Sequence, residues 1–282
     1  MSSVSGAAEG LAADSSSPGT QVAGRTSAAG TRSRAASPRG DLSDLFARSV
    51  SDYAGQHPGQ PVKLLQAGCT SRADDLELDK LHATCFDVNV RGIDQDHPLN
   101  RKAVRSSAGH GAAVPLVLGD MRTIPLPSRA FDIVYCAHLL DRIQHAELVL
   151  DRLVAALRPG GLLLLRFRDR ECAAGLLDRI LPKVARRAIW HWLRPQQAGP
   201  FPAVYEQLLS AAGVQGYVLA RGLVIAEWQA LRDRPRRPAR LAWGAPLACR
   251  LIAGLSRGRL TDGHDDLLYV IRNPESGFAR VL

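Results

Sequence analysis

The sequence lacks three features that would place it in a specialised class of protein. It has only five cysteines in 282 residues, and none of them forms a CxxC spacing, so neither a disulfide framework nor a zinc site is expected. No run of about eighteen apolar residues is free of charge, so we expect no transmembrane helix. The N-terminus has no apolar segment typical of a secretory signal. These absences favour a cytoplasmic protein without a bound metal ion.

The positive charge is concentrated in one part of the chain. The formal net charge is +9 at pH 7, and the stretch Arg232–Arg259 holds eight arginines against one aspartate. Such a stretch could make a peripheral contact with an anionic membrane or an acidic partner, and it is also common background in arginine-rich proteins. We expect no nucleic-acid partner, because the sequence carries no recognisable RNA-binding module.

The first forty residues differ in composition from the rest. Ser, Ala and Gly dominate residues 1–40, without a periodic apolar face. Such a segment buries too little apolar surface to offset its ordering entropy, so we predict a disordered tail. Arg and Ser with few acids also describe an organellar transit peptide, but a clear amphipathic helix is missing. We place the folded domain at 41–282.

From residue 41 onward, apolar runs alternate with segments of helical periodicity. Helices are predicted at 73–83 and 147–157. Five apolar runs predict strands: 62–67, 86–93, 113–118, 131–136 and 162–167. Continuous apolar strands indicate burial on both faces, and hence an α/β fold with a doubly wound parallel sheet.

The pattern of predicted helices and strands changes after residue 168. Helical segments are predicted at 176–193 and 198–212, followed by two more strands at 217–225 and 267–271. The total is therefore seven strands. We interpret 168–212 and 228–264 as helical or basic insertions, and we expect substrate specificity to reside there.

Polar or small residues end three successive strands. In open α/β sheets, ligands bind outside the carboxyl ends of the strands, where the strand order reverses. Gly68 would let the backbone approach a ligand closely. Asp94 could accept hydrogen bonds from two ribose hydroxyls, and Asp120 from an adenine amino group. Together they predict an adenosine site, although Asp also commonly caps the helix that follows a strand.

Three sequence blocks carry a family resemblance. They are GDMRTIPLP at 119–127, FDIV at 131–134 and LRPGGLL at 157–163. In order and spacing they resemble the class I S-adenosylmethionine-dependent methyltransferases, particularly the small-molecule type 11 group, over residues 62–167. The resemblance implies a Rossmann-like sheet, mostly parallel, with one antiparallel strand near the C-terminus.

The same resemblance implies S-adenosylmethionine as the cofactor and assigns roles to strand-end residues. Asp94 would hold the ribose, Asp120 and Met121 the adenine, and Cys136 with Ala137 the methionine part. The full set of implied cofactor-binding residues is Gln66, Ala67, Gly68, Cys69, Thr70, Asp94, Gln95, Gly119, Asp120, Met121, Cys136 and Ala137.

The glycine motif after the first strand departs from the family pattern. Gln66 replaces an acid, and Thr70 and Arg72 stand at two of the three glycine positions. A Cβ at position 70 narrows the approach to a ligand, whereas Gln66 keeps an acceptor oxygen. We therefore hold two hypotheses. The first is a methyltransferase acting on a small-molecule or lipid-like acceptor. The second is a catalytically silent module for protein or membrane-surface interaction.

Methyl transfer from a sulfonium is an in-line displacement, so positioning can supply most of the catalysis. A base is optional. His138 is the first candidate and Asp141 the next, although both could simply begin a helix, and His145 is expected to cap the helix that follows. Trp190 and Trp192 could line an acceptor pocket, lie on an anionic membrane surface or pack in the core.

Overall fold

The computed structural model describes residues 33–37, 40–68, 88–101, 116–193, 201–231, 250–251, 254, 256, 260–261 and 263–275. The predicted helix at 73–83 lies outside these residues. The strands are β1 Ser33–Ser37, β2 Val62–Ala67, β3 Val88–Gln95, β4 Leu116–Gly119, β5 Phe131–Ala137, β6 Leu157–Arg168, β7 Val224–Leu231 and β8 Asp266–Arg272. The helices are α1 Gly40–Gln56, α2 Ala146–Ala156, α3 Ala173–Ile180, α4 Lys183–Leu193 and α5 Ala211–Ala220, with a 3-10 turn at Leu140–Arg142.

All the strands belong to one sheet, in the order β1-β7-β8-β6-β5-β2-β3-β4. Strands β2 to β6 pair in parallel, and β8 runs antiparallel to both β6 and β7. This arrangement confirms the Rossmann-like sheet with one antiparallel strand near the C-terminus. The strand order reverses between β2 and β5, so the carboxyl ends of these two strands border the crevice where open sheets bind ligands.

The sheet has a core on each face. Along β2, the side chain of Leu64 packs with α1, and that of Leu65 packs with α2 on the opposite face. Neighbouring side chains of a strand point to opposite faces, so an unbroken apolar run is what a doubly covered strand requires. On the α1 side, the rings of Phe46 and Tyr135 meet edge to face with centroids 5.0 Å apart.

A buried carboxylate fastens the amino-terminal edge of the sheet, far from the crevice. Asp132 at the start of β5 accepts hydrogen bonds from the Lys63 backbone amide and the Tyr53 hydroxyl. The guanidinium of Arg158 lies 2.7 Å from the same carboxylate. Burial, together with the nearby Asp132 charge, raises the pKa of Tyr53 to about 12. The aspartate of the FDIV block therefore ties α1, β2, β5 and β6 together.

Strand β1 adds an eighth strand to the seven predicted. Residues 33–37 pair in parallel with the edge strand β7, although they lie inside the segment 1–40 that the composition predicts to be disordered. An edge strand offers free backbone N–H and C=O groups, and pairing with them needs no apolar side chain. Residues 1–32 lie outside the described part of the chain.

Two elements after residue 198 were predicted wrongly. Residues 201–210 contain no helix, and the predicted strand at 217–225 is replaced by α5 and then β7. The Ser210 side chain caps α5 by accepting a hydrogen bond from the Gly213 amide. Val214, Tyr217 and Val218 are buried on one side of the helix. β-branched and aromatic residues favour strands locally. Here the Ser210 cap and the helical spacing of the buried residues favour a helix instead.

The predicted helix at 176–193 is divided into α3 and α4. Pro182 stands between them, and proline lacks the amide hydrogen that a continuous helix requires. Trp190 and Trp192 lie on α4, but the described part of the structure does not include their side chains. Most of Arg232–Arg259 also lies outside it. Among the described helices, none has the length and apolar character needed to span a bilayer.

We expect replacement of Leu150 by Ala to lower the free energy of unfolding by about 2–5 kcal/mol, because its side chain is fully buried between α2 and the sheet. Replacement of Leu148, which is 48% exposed on the same helix, is the matched control and should cost about 0.5 kcal/mol or less. Urea denaturation followed by circular dichroism measures both. Equal losses would contradict the packing described for α2.

Candidate functional site

The parallel pairing brings the ends of β2, β3 and β5 to one edge of the sheet. The register aligns Ala67 of β2 with Ile93 of β3 and with Cys136 of β5. Consequently Gly68, Asp94 and His138, which come from three separate stretches of sequence, lie along the same crevice. Of the adenosine constellation predicted from the strand ends, Gly68 and Asp94 lie at this edge at the ends of neighbouring strands, and Asp120 follows the end of β4. Their binding of adenosine stays a prediction.

Asp94 is the buried acid of the crevice. It ends β3 with no solvent exposure, and its Oδ1 accepts a hydrogen bond of 2.7 Å from the Gln95 amide. The guanidinium Nη2 of Arg142 lies 4.0 Å from the same oxygen. A fully buried carboxylate is costly unless it is hydrogen-bonded or paired with a cation. The burial of Asp94 at a strand end therefore favours a role in the site.

Gly68 is required for a reason different from the predicted one. Its φ of +83° is unfavourable for other residues, and its amide donates a hydrogen bond of 2.9 Å to the Ile93 carbonyl. A Cβ there would lie 2.5 Å from the Ala137 carbonyl oxygen and 3.2 Å from Nη2 of Arg142. Neighbouring protein atoms, and not only a ligand, therefore demand glycine at this position.

The remaining residues of the first motif divide into buried and undescribed positions. Gln66 and Ala67 are buried within β2. Cys69, Thr70 and Arg72 lie outside the described residues, so the geometry of the altered glycine positions stays a prediction. Gln95 is half-buried at the end of β3.

Asp120 and Met121, the residues implied to bind adenine, make contacts within the protein. Both carboxylate oxygens of Asp120 are engaged by Arg122, at 2.9 and 2.8 Å. These hydrogen bonds lower the pKa of Asp120 to about 2. Met121 is 1% exposed and packs in the core with Ile124. Gly119 contributes its carbonyl, which accepts a hydrogen bond from the Asp96 amide.

Cys136 and Ala137 are the last two residues of β5. Both are buried in β5, and burial raises the pKa of the Cys136 thiol, which keeps it protonated. The part of this pair that reaches the crevice is the Ala137 carbonyl, the oxygen that faces Gly68.

His138 follows β5 in a left-handed conformation with φ of +48°. Its amide donates to the Arg166 carbonyl. Its Nδ1 lies 3.5 Å from Asp141 and its Nε2 3.4 Å from Asp266. The ring is buried, so both nitrogens face carboxylates inside the protein. The described geometry therefore holds the imidazole in place on both sides.

A cluster of buried charges underlies this histidine. Asp266 at the start of β8 has no solvent exposure, and Arg166 of β6 donates to it at 2.9 Å. Burial raises the pKa of Asp266, but His138, Arg166 and Arg168 outweigh burial and hold it well below its usual range. The same balance lowers the pKa of Asp141. Both carboxylates are thus charged.

The segment 201–206 crosses the crevice edge of β5. The Val204 amide donates to the Asp141 carbonyl, and the Glu206 carboxylate accepts from the His145 and Ala146 amides at 2.6 and 2.9 Å. Glu206 therefore caps α2. His145 occupies the N-cap position, but its side chain makes no capping hydrogen bond, so the expected role of His145 was wrong.

Arg142 and Phe201 were not identified from the sequence. The guanidinium of Arg142 lies over the Phe201 ring at 4.3 Å from its centroid, and on the far side the His97 ring lies 5.9 Å from that ring. Arg186 donates to the Phe201 carbonyl and fixes the segment. Only tertiary structure brings these residues together, and the one sequence signal was an arginine shortly after a strand end.

No group of His, Cys, Asp and Glu side chains among the described residues is arranged to hold a metal ion. The chemistry available at the crevice is therefore that of carboxylates, arginines, backbone amides and aromatic rings. Such a set can bind a polar ligand with hydroxyl groups and one anionic group, and it can exclude water from its surroundings.

Part of the chain is similar to a known family of domains. Residues 65–165 match a family model described as a methyltransferase domain, whereas no curated protein matches the sequence. The solved structure of loganic acid methyltransferase with SAH is 10% identical, with a TM-score of 0.54 over 86% of this chain and 94% of that one. A SAM dependent methyltransferase from Archaeoglobus fulgidus is 14% identical, with a TM-score of 0.46 over 82% and 94%.

A third solved structure, that of the cyclase SpnF, is 16% identical, with a TM-score of 0.48 over 82% of this chain and 81% of that one. The family match spans β2 to β6, which are the strands that build the crevice. Residues 65–165 are thus similar to a methyltransferase domain, and the chain has the Rossmann-like fold of methyltransferases.

Proposed function

We propose that the protein transfers a methyl group from S-adenosylmethionine to a small-molecule or lipid-like acceptor. The observation that carries the proposal is the buried Asp94 carboxylate at the end of β3, beside Gly68 and next to the point where the strand order reverses. The methyltransferase match and the fold shared with loganic acid methyltransferase, which holds SAH in its structure, support it.

The residues of the crevice suit the chemical groups of this cofactor. Asp94 has an acceptor oxygen for ribose hydroxyls, and the turn after β2 begins at Gly68 with a left-handed residue. The buried guanidinium of Arg142 has N–H groups for which the described residues provide no hydrogen-bond acceptor, which fits a ligand bearing an anion. When bound, S-adenosylmethionine supplies the methyl group on its sulfonium.

The protein's own contribution is to position the reactants and exclude water. The segment 201–206, with Tyr205 buried against Asp178, lies next to the turn that follows β5 and, through Phe201, next to His97 after β3. Holding an acceptor in line with a transferable methyl group can supply most of a displacement's acceleration. Because both nitrogens of His138 face carboxylates, we propose that His138 positions the turn that carries Asp141 and does not act as a base.

A second candidate is a module that keeps the fold without methyl transfer. One observation favours it: both oxygens of Asp120, the implied adenine residue, are already bound by Arg122. In that case the chain would act through protein or membrane-surface contacts. Cofactor binding separates the two candidates.

We expect the full-length protein to bind S-adenosylmethionine and its demethylated product with dissociation constants in the micromolar range in calorimetric titrations. The reason is that Asp94 is already buried at the end of β3, with Gly68 at the end of β2 beside it, so this part of the site needs little reorganisation. Absence of binding at millimolar ligand would reject the methyltransferase proposal and favour the silent module.

Replacement of Asp94 by Asn should weaken binding of the demethylated product about thirtyfold to one-hundredfold, because hydrogen bonds from hydroxyls to a charged acceptor contribute about 2–3 kcal/mol. Asp96→Asn is the matched control, since Asp96 lies two residues after Asp94, is exposed and is paired with Arg101. Calorimetry compares the variants, and thermal unfolding shows that both are folded. A dissociation constant unaffected by Asp94→Asn would remove Asp94 from the site.

A further inference from the structure

The guanidinium of Arg142 is a buried cation with unused hydrogen-bond donors. Its side chain is 8% exposed, and within the described part of the chain the N–H groups on Nε and Nη2 have no hydrogen-bond acceptor. Leaving buried donors unpaired is costly, more so when they belong to a charged group. Such donors in a crevice indicate that something outside the chain accepts from them.

The charge around Arg142 does not remove this need. Asp94 is the nearest carboxylate that lies across the crevice, but 4.0 Å separates it from Nη2, which is beyond hydrogen-bond length. The face of Phe201 covers the guanidinium at 4.3 Å from the ring centroid. A ring face stabilises a cation but accepts no strong hydrogen bond. The surrounding described residues therefore hold the Arg142 guanidinium in place without accepting hydrogen bonds from its Nε and Nη2.

The direction of the guanidinium selects the part of the crevice it serves. Nη2 lies between Gly68 and Asp94, 3.2 Å from the place where a Cβ of Gly68 would stand and 4.0 Å from the Asp94 carboxylate. These two residues mark the ends of β2 and β3, where the proposed cofactor would place its amino-acid part and its ribose. A ligand lying across both would bring its amino-acid end to the arginine.

We infer that Arg142 is the residue that binds the carboxylate of the methionine part of S-adenosylmethionine, an inference that rests on the proposed function. That carboxylate is the only anionic group of the cofactor, and a planar guanidinium pairs with a carboxylate through two parallel hydrogen bonds. This pairing uses the Nε and Nη2 donors that the protein leaves free.

The assignment also explains how the altered glycine motif can be tolerated. With Gln66 in place of an acid, the first strand end offers the cofactor no negative charge for its ammonium group. A charge-assisted pair at the neighbouring carboxylate compensates for that loss from another element, the 3-10 turn that follows β5. Phe201 then shields the pair from water and strengthens it, because a lower local dielectric increases the attraction of charges.

The test compares ligands with and without the carboxylate. Full-length wild type is titrated by calorimetry with S-adenosylmethionine and with decarboxylated S-adenosylmethionine, which lacks only this group. We expect the intact cofactor to bind about tenfold to one-hundredfold more tightly, as for one charged bidentate pair. This comparison needs no variant and shows whether the protein recognises the carboxylate; the variant below then tests whether Arg142 is responsible.

The variant Arg142→Gln should reduce the ratio of the two affinities to about one, chiefly by weakening binding of the intact cofactor. Arg91→Gln is the matched control, because Arg91 is exposed on β3 three residues before Asp94 and carries the same charge; its ratio should equal that of wild type. Thermal unfolding midpoints establish that the variants are folded.

Three results would overturn the assignment. A preference for the intact cofactor that persists in Arg142→Gln would place its carboxylate elsewhere while leaving the proposed function standing. Tighter binding of S-adenosylmethionine to Arg142→Gln than to wild type would show that the arginine obstructs the crevice. Failure of wild type to bind either ligand would reject the proposed function, and this inference with it.

Discussion

The burial of charge at the carboxyl edge of the sheet is the constraint on which the site depends. Asp266 has no exposure, and a carboxylate in that position must be matched by cations and hydrogen bonds. Arg166 supplies the closest match, at 2.9 Å. Because Arg166 lies on β6 and Asp266 on β8, their pairing secures the antiparallel strand to the parallel sheet and orients His138 at the end of β5.

From this charge cluster the crevice is built outward. His138 contacts Asp141 in the turn after β5, and that turn presents Arg142 toward Gly68 and Asp94. Segment 201–206 then covers the turn, since its backbone donates to the Asp141 carbonyl. Each layer restricts the next, so the ligand-facing groups need little reorganisation on binding, which is the property that gives a site affinity.

Much of the fold could be predicted from the sequence, because buried parallel strands appear in it as unbroken apolar runs. The alternation of these runs with helical segments indicates a parallel sheet. The elements after residue 198 could not, since Ala, Val and Tyr in α5 suit either a strand or a buried helix, and the Ser210 cap decides between them. Gly68 and Asp94 lie at neighbouring strand ends, as the predicted strand boundaries indicated, because topology alone brings parallel strand ends together. Their role in ligand binding stays a prediction.

The rest of the site depends on contacts that no local pattern encodes. Asp266 is 100 residues from Arg166, and Glu206 caps a helix 60 residues earlier in the chain. The local sequence around Arg142 does not mark it as a site residue, because Phe201 and Asp94 approach it from distant parts of the chain. Gly68 was recognised as essential, but the Ala137 carbonyl that makes it so belongs to another strand.

The central claim is that one crevice, bordered by Gly68, Asp94 and Arg142, holds the methyl donor. A crystal structure of the full-length protein grown with S-adenosylhomocysteine tests it most directly. The account predicts ligand density across the ends of β2 and β3, with ribose hydroxyls on Asp94 and the carboxylate on Arg142. Ligand density elsewhere, or a crevice in saturated crystals filled by the Arg142 and Phe201 side chains, would contradict it.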